Sequence, residues 1–287
     1  MMQNLTNEEW HSLIKSIESK LIEPKDAPLA SMSAAEAAAF IDHTLLKPDA
    51  EPEQIDKLCD EAKKYNFKTV CVRLNYVARA VKKLSGTSVG IACVIDFPEG
   101  TADWEAKEKE LAAAIEAGTT EADAVLNRSY LHRARTTSSS GLLEKLPDYV
   151  STFSDLSKLR YVASRPTTLK LILETSQLST DEIIAASVLA HYAGFDFIKT
   201  STGFCERGAT VEDVRLMKSV AIAAAKETAD EPMQIKASGG IRSFNDMQKM
   251  AAAGATRIGA SAGVTIVEEA SGVRDGETHD AGQNGGY

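Results

Sequence analysis

The chain has 287 residues, and its 32 Lys and Arg against 41 Asp and Glu give a formal net charge of −9. This acidic balance argues against a nucleic-acid or membrane-surface partner, because both need concentrated Lys and Arg, but it leaves room for a locally basic pocket. The length suits either two average domains or one barrel of about 250 residues, and composition does not choose between them.

The N-terminal segment predicts an amphipathic helix. Thr6 and Glu9 have the spacing of a capping box. Apolar residues then recur at helical spacing, at Trp10, Leu13, Ile14, Ile17 and Leu21. The apolar stripe either covers the outer helices of the domain that follows, which is the simpler interpretation, or forms the contact of a homodimer.

Beyond a connector that contains proline, eight short β-like runs alternate with segments that carry helix caps and apolar stripes. The runs are residues 40–46, 69–73, 89–96, 121–127, 169–175, 195–201, 234–240 and 255–261. A strand–helix unit repeated eight times predicts an α/β fold, the (β/α)8 TIM barrel, because each parallel strand needs a crossover helix. We expect three regions: an N-terminal helical extension over 1–39, the barrel over 40–263, and a C-terminal helix end with a flexible tail over 264–287.

The interval over residues 128–168 departs from the regular spacing, since a polar run extends from Thr136 to Gly141. We expect a surface insertion with some helix. It is either a loop without a role, which is the interpretation we favour, or a lid over the site.

Two lysines interrupt apolar strands of the predicted barrel. Lys199 lies near the end of the sixth run and Lys236 lies in the seventh, towards the strand ends where such barrels place their active sites. If both point inward, burial and mutual repulsion lower a lysine pKa, and a neutral amine forms a Schiff base with a carbonyl. The alternative for either lysine alone is a solvated side chain at a strand end.

Two carboxylates have strand positions that allow them to join the lysines. Asp123 lies in the fourth run, where a carboxylate near a carbonyl carbon shuttles protons or else acts only as an ion-pair partner for a lysine. Asp42 lies in the first run, and an inward position there competes with a surface or capping role.

Small residues follow the last two strands. Gly239 and Gly240 end the seventh run, while Gly259 and Ser261 stand in the eighth, just before a short helical segment. Backbone N–H groups approach an anion closely at such residues, and a helix N-terminus adds a favourable partial charge. Loops seven and eight are the usual phosphate site of this barrel, so we predict a phosphate-binding site here.

A family resemblance runs through these strands. The segments, in chain order over residues 40–263, are FIDHTLLKP, VCVRL, EADAVLN, LKLILET, FIKTSTGF, IKASGGIRS and RIGASAG. They resemble the strand motifs of the deoxyribose-phosphate aldolase family, which implies a class I aldolase, a carbon–carbon lyase. By this resemblance, Lys199 forms the Schiff base, Lys236 lowers the pKa of Lys199, and Asp123 moves protons with ordered water.

The resemblance also implies a substrate. The reaction is reversible cleavage of 2-deoxy-D-ribose 5-phosphate to D-glyceraldehyde 3-phosphate and acetaldehyde, with no metal and no other cofactor. Thr202 and Gly203 are implied to border the phosphate side of the pocket. The chain ends in Tyr287, which either assists proton transfer at the enamine carbon or is an inert end.

Two rival functions stay open at this point. One is a Schiff-base aldolase that acts on another phosphorylated sugar, and the other is a phosphate-binding barrel that has lost catalysis. The four cysteines are widely separated and form no C-x-x-C pair, and no stretch approaches about 18 consecutive apolar residues. We therefore expect a cytoplasmic protein whose partners are small sugar phosphates and aldehydes.

Overall fold

The computed structural model describes residues 5–22, 32–132, 135–138, 141–144 and 146–273 of the chain. Its centre is a closed barrel of eight parallel strands. The strands are β1 Ile41–Thr44, β2 Thr69–Val72, β3 Gly90–Ile95, β4 Glu121–Val125, β7 Thr168–Ile172, β8 Phe197–Lys199, β9 Gln234–Ser238 and β10 Arg257–Ala260, while β5 and β6 lie outside the barrel and are described below. Their order around the ring is β1, β10, β9, β8, β7, β4, β3, β2. Each predicted run overlaps one of these strands, so the predicted TIM barrel is confirmed.

Ten α-helices lie in the described part of the chain. They are α1 Asn7–Glu18, α2 Ala34–Phe40, α3 Pro52–Tyr65, α4 Leu74–Leu84, α5 Trp104–Glu116, α6 Tyr149–Val162, α7 Thr180–Tyr192, α8 Val211–Thr228, α9 Phe244–Ala253 and α10 Gly263–Ala270. Helices α3 to α10 alternate with the barrel strands, and each turns an apolar stripe towards the sheet. Within the described ranges, no helix combines the length and apolarity that a membrane span requires.

Helix α1 confirms the predicted N-terminal helix and packs on the outer helices of the barrel itself. Its first turn has the capping box of Thr6 and Glu9, and its buried face includes Trp10. The Trp10 ring lies 4.8 Å from that of Phe153 on α6 and 5.8 Å from that of Tyr192 on α7, between ring centroids. The simpler interpretation of the apolar stripe therefore accounts for its burial.

Helix α2 was not predicted. Ser33 caps it and forms a reciprocal capping box with Glu36, and the rest of the helix consists of alanines up to Phe40. A helix of only seven residues offers too little apolar periodicity to be recognised in the sequence. Strand β1 consequently begins at Ile41, one residue later than the predicted run.

The interval after β4 differs from the predicted loop. Its polar run lies partly in a two-stranded antiparallel sheet that is separate from the barrel, formed by β5 Arg135–Ser138 and β6 Gly141–Glu144. The helix expected in this interval is α6, which serves as the crossover helix between β4 and β7. The C-terminal tail from residue 274, with Tyr287, lies outside the described residues.

We predict that α1 contributes to the stability of the barrel. Trp10→Ala should lower the free energy of unfolding by about 3–5 kcal/mol, because Trp10 is almost fully buried between α6 and α7. Urea denaturation followed by circular dichroism measures this change. Ser16→Ala, at an exposed position of the same helix, is the matched control and should change the value by less than about 0.5 kcal/mol. Equal stability of both variants would contradict the packing role.

Candidate active site

Two lysines stand side by side inside the barrel. Lys199 ends β8 and Lys236 lies in β9, and their Cα atoms are direct partners in the parallel register of the two strands. Both side chains are buried, at 3% and 0% exposure. The structure thus places the two predicted lysines next to each other, and neither is the solvated strand-end side chain of the alternative interpretation.

Asp123 of β4 lies opposite the lysines and joins them. Its Oδ2 atom accepts hydrogen bonds from Lys199 Nζ at 3.0 Å and from Lys236 Nζ at 2.7 Å. Its Oδ1 atom accepts from Lys170 Nζ of β7 at 2.6 Å. Burial by itself would raise the pKa of Asp123, but the charges of Lys170, Lys236 and Lys199 outweigh burial and hold that pKa well below its usual range.

Asp42 of β1 is the second carboxylate of the cluster. It is fully buried, so the surface or capping role considered for it is wrong. Its Oδ2 atom accepts from Lys236 Nζ at 2.5 Å, and its Oδ1 atom accepts from Arg257 of β10 at 2.7 Å. Lys236 is therefore held between two carboxylates.

Three members of this cluster were not among the predicted site residues: Lys170, Glu121 and Arg257. Glu121 Oε2 lies 2.6 Å from Lys170 Nζ and 2.9 Å from an Arg257 nitrogen. The sequence carried a signal for each of them. Lys170 and Arg257 interrupt apolar strands at inward positions, as Lys199 and Lys236 do, and Glu121 lies on the same strand face as Asp123.

The charges of the cluster identify the amine that loses its proton most easily. Four cations, Lys170, Lys199, Lys236 and Arg257, share the barrel interior with the three carboxylates. Burial opposes the charge of each cation, but nearby carboxylates outweigh it and raise the pKa of Lys170, Lys236 and Arg257.

Lys199 behaves differently. Burial and the adjacent charge of Lys236 lower the pKa of Lys199, although Asp123 opposes them. Deprotonation of Lys199 leaves three positive and three negative groups, so the neutral amine balances the charge of the cluster. Of the four cations, Lys199 is therefore the one for which the surroundings favour a neutral amine, the form that reacts with carbonyls, while they favour the protonated forms of Lys170, Lys236 and Arg257.

An apolar wall covers one side of the barrel mouth, above Asp123. Its members come from β2, β3, β4, β7 and the loops beside them: Leu46, Cys71, Ala92, Val94, Phe97, Val125, Ile172 and Phe204. The rings of Phe97 and Phe204 meet edge to face at 5.1 Å between centroids. Ile172 of this wall is the direct register partner of Lys199, so the wall adjoins the lysine and contributes to the burial that disfavours its charge.

The predicted phosphate residues lie together on the opposite side of the mouth. Gly239 and Gly240 both have positive φ angles, +89° and +79°, after β9. A Cβ atom on Gly239 would lie 2.8 Å from Gly208 Cα, so the backbones of two loops approach each other closely here. Ser261 is exposed in the turn before α10, a helix without a side-chain N-cap hydrogen bond.

Thr202 and Gly203 form the turn after Lys199. The backbone N–H and the hydroxyl of Thr202 both donate to Glu174 Oε2, at 3.0 and 2.5 Å. The Thr202 hydroxyl in turn accepts from Phe204 N at 3.1 Å. Both donors of Thr202 are thus engaged within the protein, and Glu174 is a buried residue of the site that the sequence analysis did not single out.

The fold and the site together define a class of enzyme. A closed parallel barrel whose mouth holds neighbouring lysines around a buried aspartate is typical of barrel aldolases, which make and break carbon–carbon bonds. The model of the family described as "DeoC/LacD family aldolase" matches residues 36–269, from within α2 to the last turn of α10. The chain belongs to this aldolase family and is a lyase.

Named relatives support the same assignment. The chain is 46% identical over 271 residues to "Deoxyribose-phosphate aldolase" of Coccidioides immitis, covering 93% of this chain and 94% of that protein. It is 44% identical over 234 residues to the protein of the same name from Staphylococcus haemolyticus, covering 80% and 95%.

Solved structures agree. A crystal structure described as that of a deoxyribose-phosphate aldolase from Coccidioides immitis has a TM-score of 0.82 at 44% identity, covering 93% of this chain and 99% of that chain. A tetrameric deoxyribose phosphate aldolase from Aeropyrum pernix has a TM-score of 0.69 at 27% identity, covering 90% and 97%.

We predict that Lys199 reacts as an amine at lower pH than an ordinary lysine, because its pKa is lowered by burial and by Lys236. Competitive acetylation with a trace of acetic anhydride, read by mass spectrometry of the Lys199 peptide, measures this reactivity against pH. Nα-acetyllysine in the same mixture is the internal reference. The labelling curve of Lys199 should rise at lower pH than that of the reference, and a rise at higher pH would contradict the assignment.

Proposed function

We propose that the chain is a deoxyribose-phosphate aldolase that cleaves 2-deoxy-D-ribose 5-phosphate reversibly through a Schiff base on Lys199. The observation that carries this proposal is the buried pair of Lys199 and Lys236 on adjacent strands, both hydrogen-bonded to Asp123. In this arrangement burial and the charge of Lys236 lower the pKa of Lys199. The names of the relatives at 42–46% identity favour this substrate over another phosphorylated sugar.

The first half of the mechanism builds an electron sink. The neutral Lys199 amine attacks C1 of the open-chain sugar, and a proton passes to the oxygen to give a carbinolamine. Loss of water then yields a protonated imine between C1 and Lys199. Lys236 is placed to stay protonated between Asp42 and Asp123, so it favours the neutral state of Lys199 without competing as a nucleophile.

The second half breaks the carbon–carbon bond. The C3 hydroxyl loses its proton, the C2–C3 electron pair moves to form the C1=C2 enamine, and C3 leaves as the aldehyde of D-glyceraldehyde 3-phosphate. We assign Asp123 to this proton transfer, by way of a water molecule. Because its pKa is well below the usual range, Asp123 carries the proton only transiently. Protonation of the enamine at C2 and hydrolysis of the imine then release acetaldehyde and restore Lys199.

We assign the phosphate to the glycine-rich side of the mouth, at Gly239, Gly240, Gly259 and Ser261, with Gly203 at its border. The positive φ angles of Gly239 and Gly240 and the start of α10 after Ser261 support this assignment. For Thr202 we propose a supporting role in place of direct phosphate contact, since Glu174 engages its donors. The apolar wall supports a position for the two-carbon fragment on the opposite side.

The protonated imine performs the role of electron sink, so we propose that the reaction needs no metal ion. The cytoplasmic location, the homodimer and the part of Tyr287 in enamine protonation stay predictions. Tyr287 lies beyond the described residues, and the relative from Aeropyrum pernix is tetrameric.

Borohydride trapping tests the function directly. Acetaldehyde with sodium borohydride should leave an ethyl group on Lys199 of the wild-type protein, found by peptide mass spectrometry, and Lys199→Met should show neither adduct nor cleavage activity. Cleavage of 2-deoxy-D-ribose 5-phosphate should be unchanged by a chelator. Trapping by other carbonyl compounds but not by acetaldehyde would point to another aldolase, and failure to trap any of them would indicate a binding barrel without catalysis.

Lys236→Met tests the electrostatic role of the second lysine. Without the charge of Lys236, and with Asp123 still present, the pKa of Lys199 rises, so less neutral amine exists at neutral pH. The acid limb of kcat/KM against pH should move to higher pH, and kcat/KM at neutral pH should fall by roughly 10- to 100-fold or more. Lys57→Met, at a side chain that is 78% exposed on α3, is the matched control and should keep the wild-type profile. A normal acid limb in Lys236→Met would refute the role.

A further inference from the structure

Glu174 has a conformation and a location that need an explanation. It follows β7 directly and is completely buried, and its backbone is in the left-handed region, with φ +58° and ψ +66°. Few residues other than glycine adopt this conformation, and where they do the surrounding structure holds them in place. A buried carboxylate is also costly unless its oxygens are well paired.

The carboxylate is paired by hydrogen bonds and not by a direct ion pair, although the charge of Arg207 acts on it from a distance. Oε2 accepts from the Thr202 N–H and from the Thr202 hydroxyl, and Oε1 accepts from the Ser176 hydroxyl at 3.0 Å. No Lys or Arg in the described part of the chain forms an ion pair with Glu174. This separates Glu174 from Asp42, Glu121 and Asp123, each of which pairs with two or more cations.

The main chain on either side of Glu174 binds the residues that lead into the turn of Thr202. Leu173 N donates to Lys199 O, and Thr175 N donates to Thr200 O, both at 2.9 Å. These bonds continue the pairing of β7 with β8 up to the residue after the reactive lysine. The Glu174 side chain extends the support two residues further, to Thr202, and Thr202 in turn holds Phe204 N.

We propose that Glu174 is a positioning residue for Lys199, which acts through Thr202 to fix the turn of residues 200–204. Its left-handed backbone directs the side chain across the end of β8, where Oε2 accepts hydrogen bonds from the N–H and the hydroxyl of Thr202. This inference rests on the proposed function, because a Schiff-base lysine must hold its amine in one orientation towards the carbonyl carbon. The hydrogen-bond geometry of Glu174, and not its charge, performs the role.

Two substitutions separate geometry from charge. In Glu174→Gln, the amide oxygen still accepts from Thr202, and the amide NH2 can donate to the Ser176 hydroxyl, so kcat should stay within about fivefold of wild type. In Glu174→Ala both Thr202 donors lose their acceptor, so the Lys199 amine should lose its fixed orientation. A displacement of a reacting group by about 1 Å costs about 100-fold in rate, so kcat should fall by about that factor, while KM changes less. Steady-state kinetics with 2-deoxy-D-ribose 5-phosphate give both constants.

A double-mutant cycle tests the partner. Thr202→Val removes the hydroxyl that Glu174 holds and should lower kcat as Glu174→Ala does, and the double variant should lose little more than either single variant. Ser176→Ala removes only the Oε1 contact and should keep the wild-type kcat. Thermal unfolding followed by circular dichroism verifies that each variant is folded.

The kinetics of the two Glu174 variants can support or overturn the positioning role. A Glu174→Gln variant as impaired as Glu174→Ala would show that the charge matters and would overturn the proposal, as would a Glu174→Ala variant with wild-type kcat. If the wild-type protein neither cleaves the substrate nor traps acetaldehyde, the proposed function fails first. Acetylation of Lys199 then tests positioning without a substrate: its rate at neutral pH should fall in Glu174→Ala but not in Glu174→Gln, and equal rates would refute the proposal.

Discussion

The hydrogen bonds that Asp123 shares with three lysines are the interaction on which the active site depends. A closed barrel has an interior that water cannot solvate freely, so every charge placed there must be neutralised by another. Asp123 is reached from β7, β8 and β9 at once, because these are the three strands that follow β4 in succession around the ring. One of the contacts that satisfy its charge also holds the Lys199 amine in place.

The low pKa of Lys199 follows from an imbalance between the four cations and the three carboxylates of this network. Each of Lys170, Lys236 and Arg257 lies between two carboxylates, and each of them gains more from the protonated form than burial costs. Lys199 has only Asp123, which it shares, and it faces Lys236 and an apolar wall. The fourth positive charge is therefore the one in excess. The nucleophile that we propose at Lys199 thus needs no special chemistry of its side chain, because the cluster has one carboxylate fewer than it has cations.

The mouth of the barrel divides into two chemical halves above this network. Apolar residues after β2, β3, β4 and β7 face glycine-rich backbone after β9 and β10. Residues 173–175 lie between the halves. Their main-chain bonds hold Lys199 and Thr200, and the Glu174 carboxylate holds Thr202 in the turn that follows. A small aldehyde fragment suits apolar surroundings, whereas a phosphate needs backbone N–H donors. The closed ring of strands brings both kinds of surroundings to the same barrel mouth, beside Lys199.

The sequence by itself determined the barrel, the packing face of α1 and the strand positions of Lys199, Lys236 and Asp123, because strand alternation and helix periodicity are local patterns that burial imposes on every element. It did not determine α2 or the two-stranded sheet of β5 and β6, whose segments are too short for a clear period. Only the tertiary structure decided that Lys170, Glu121 and Arg257 join the site and that Glu174 holds Thr202. These groups are brought together by the closure of the ring, and both the pKa of Lys199 and the balance of charge depend on distances between strands that are remote in the sequence.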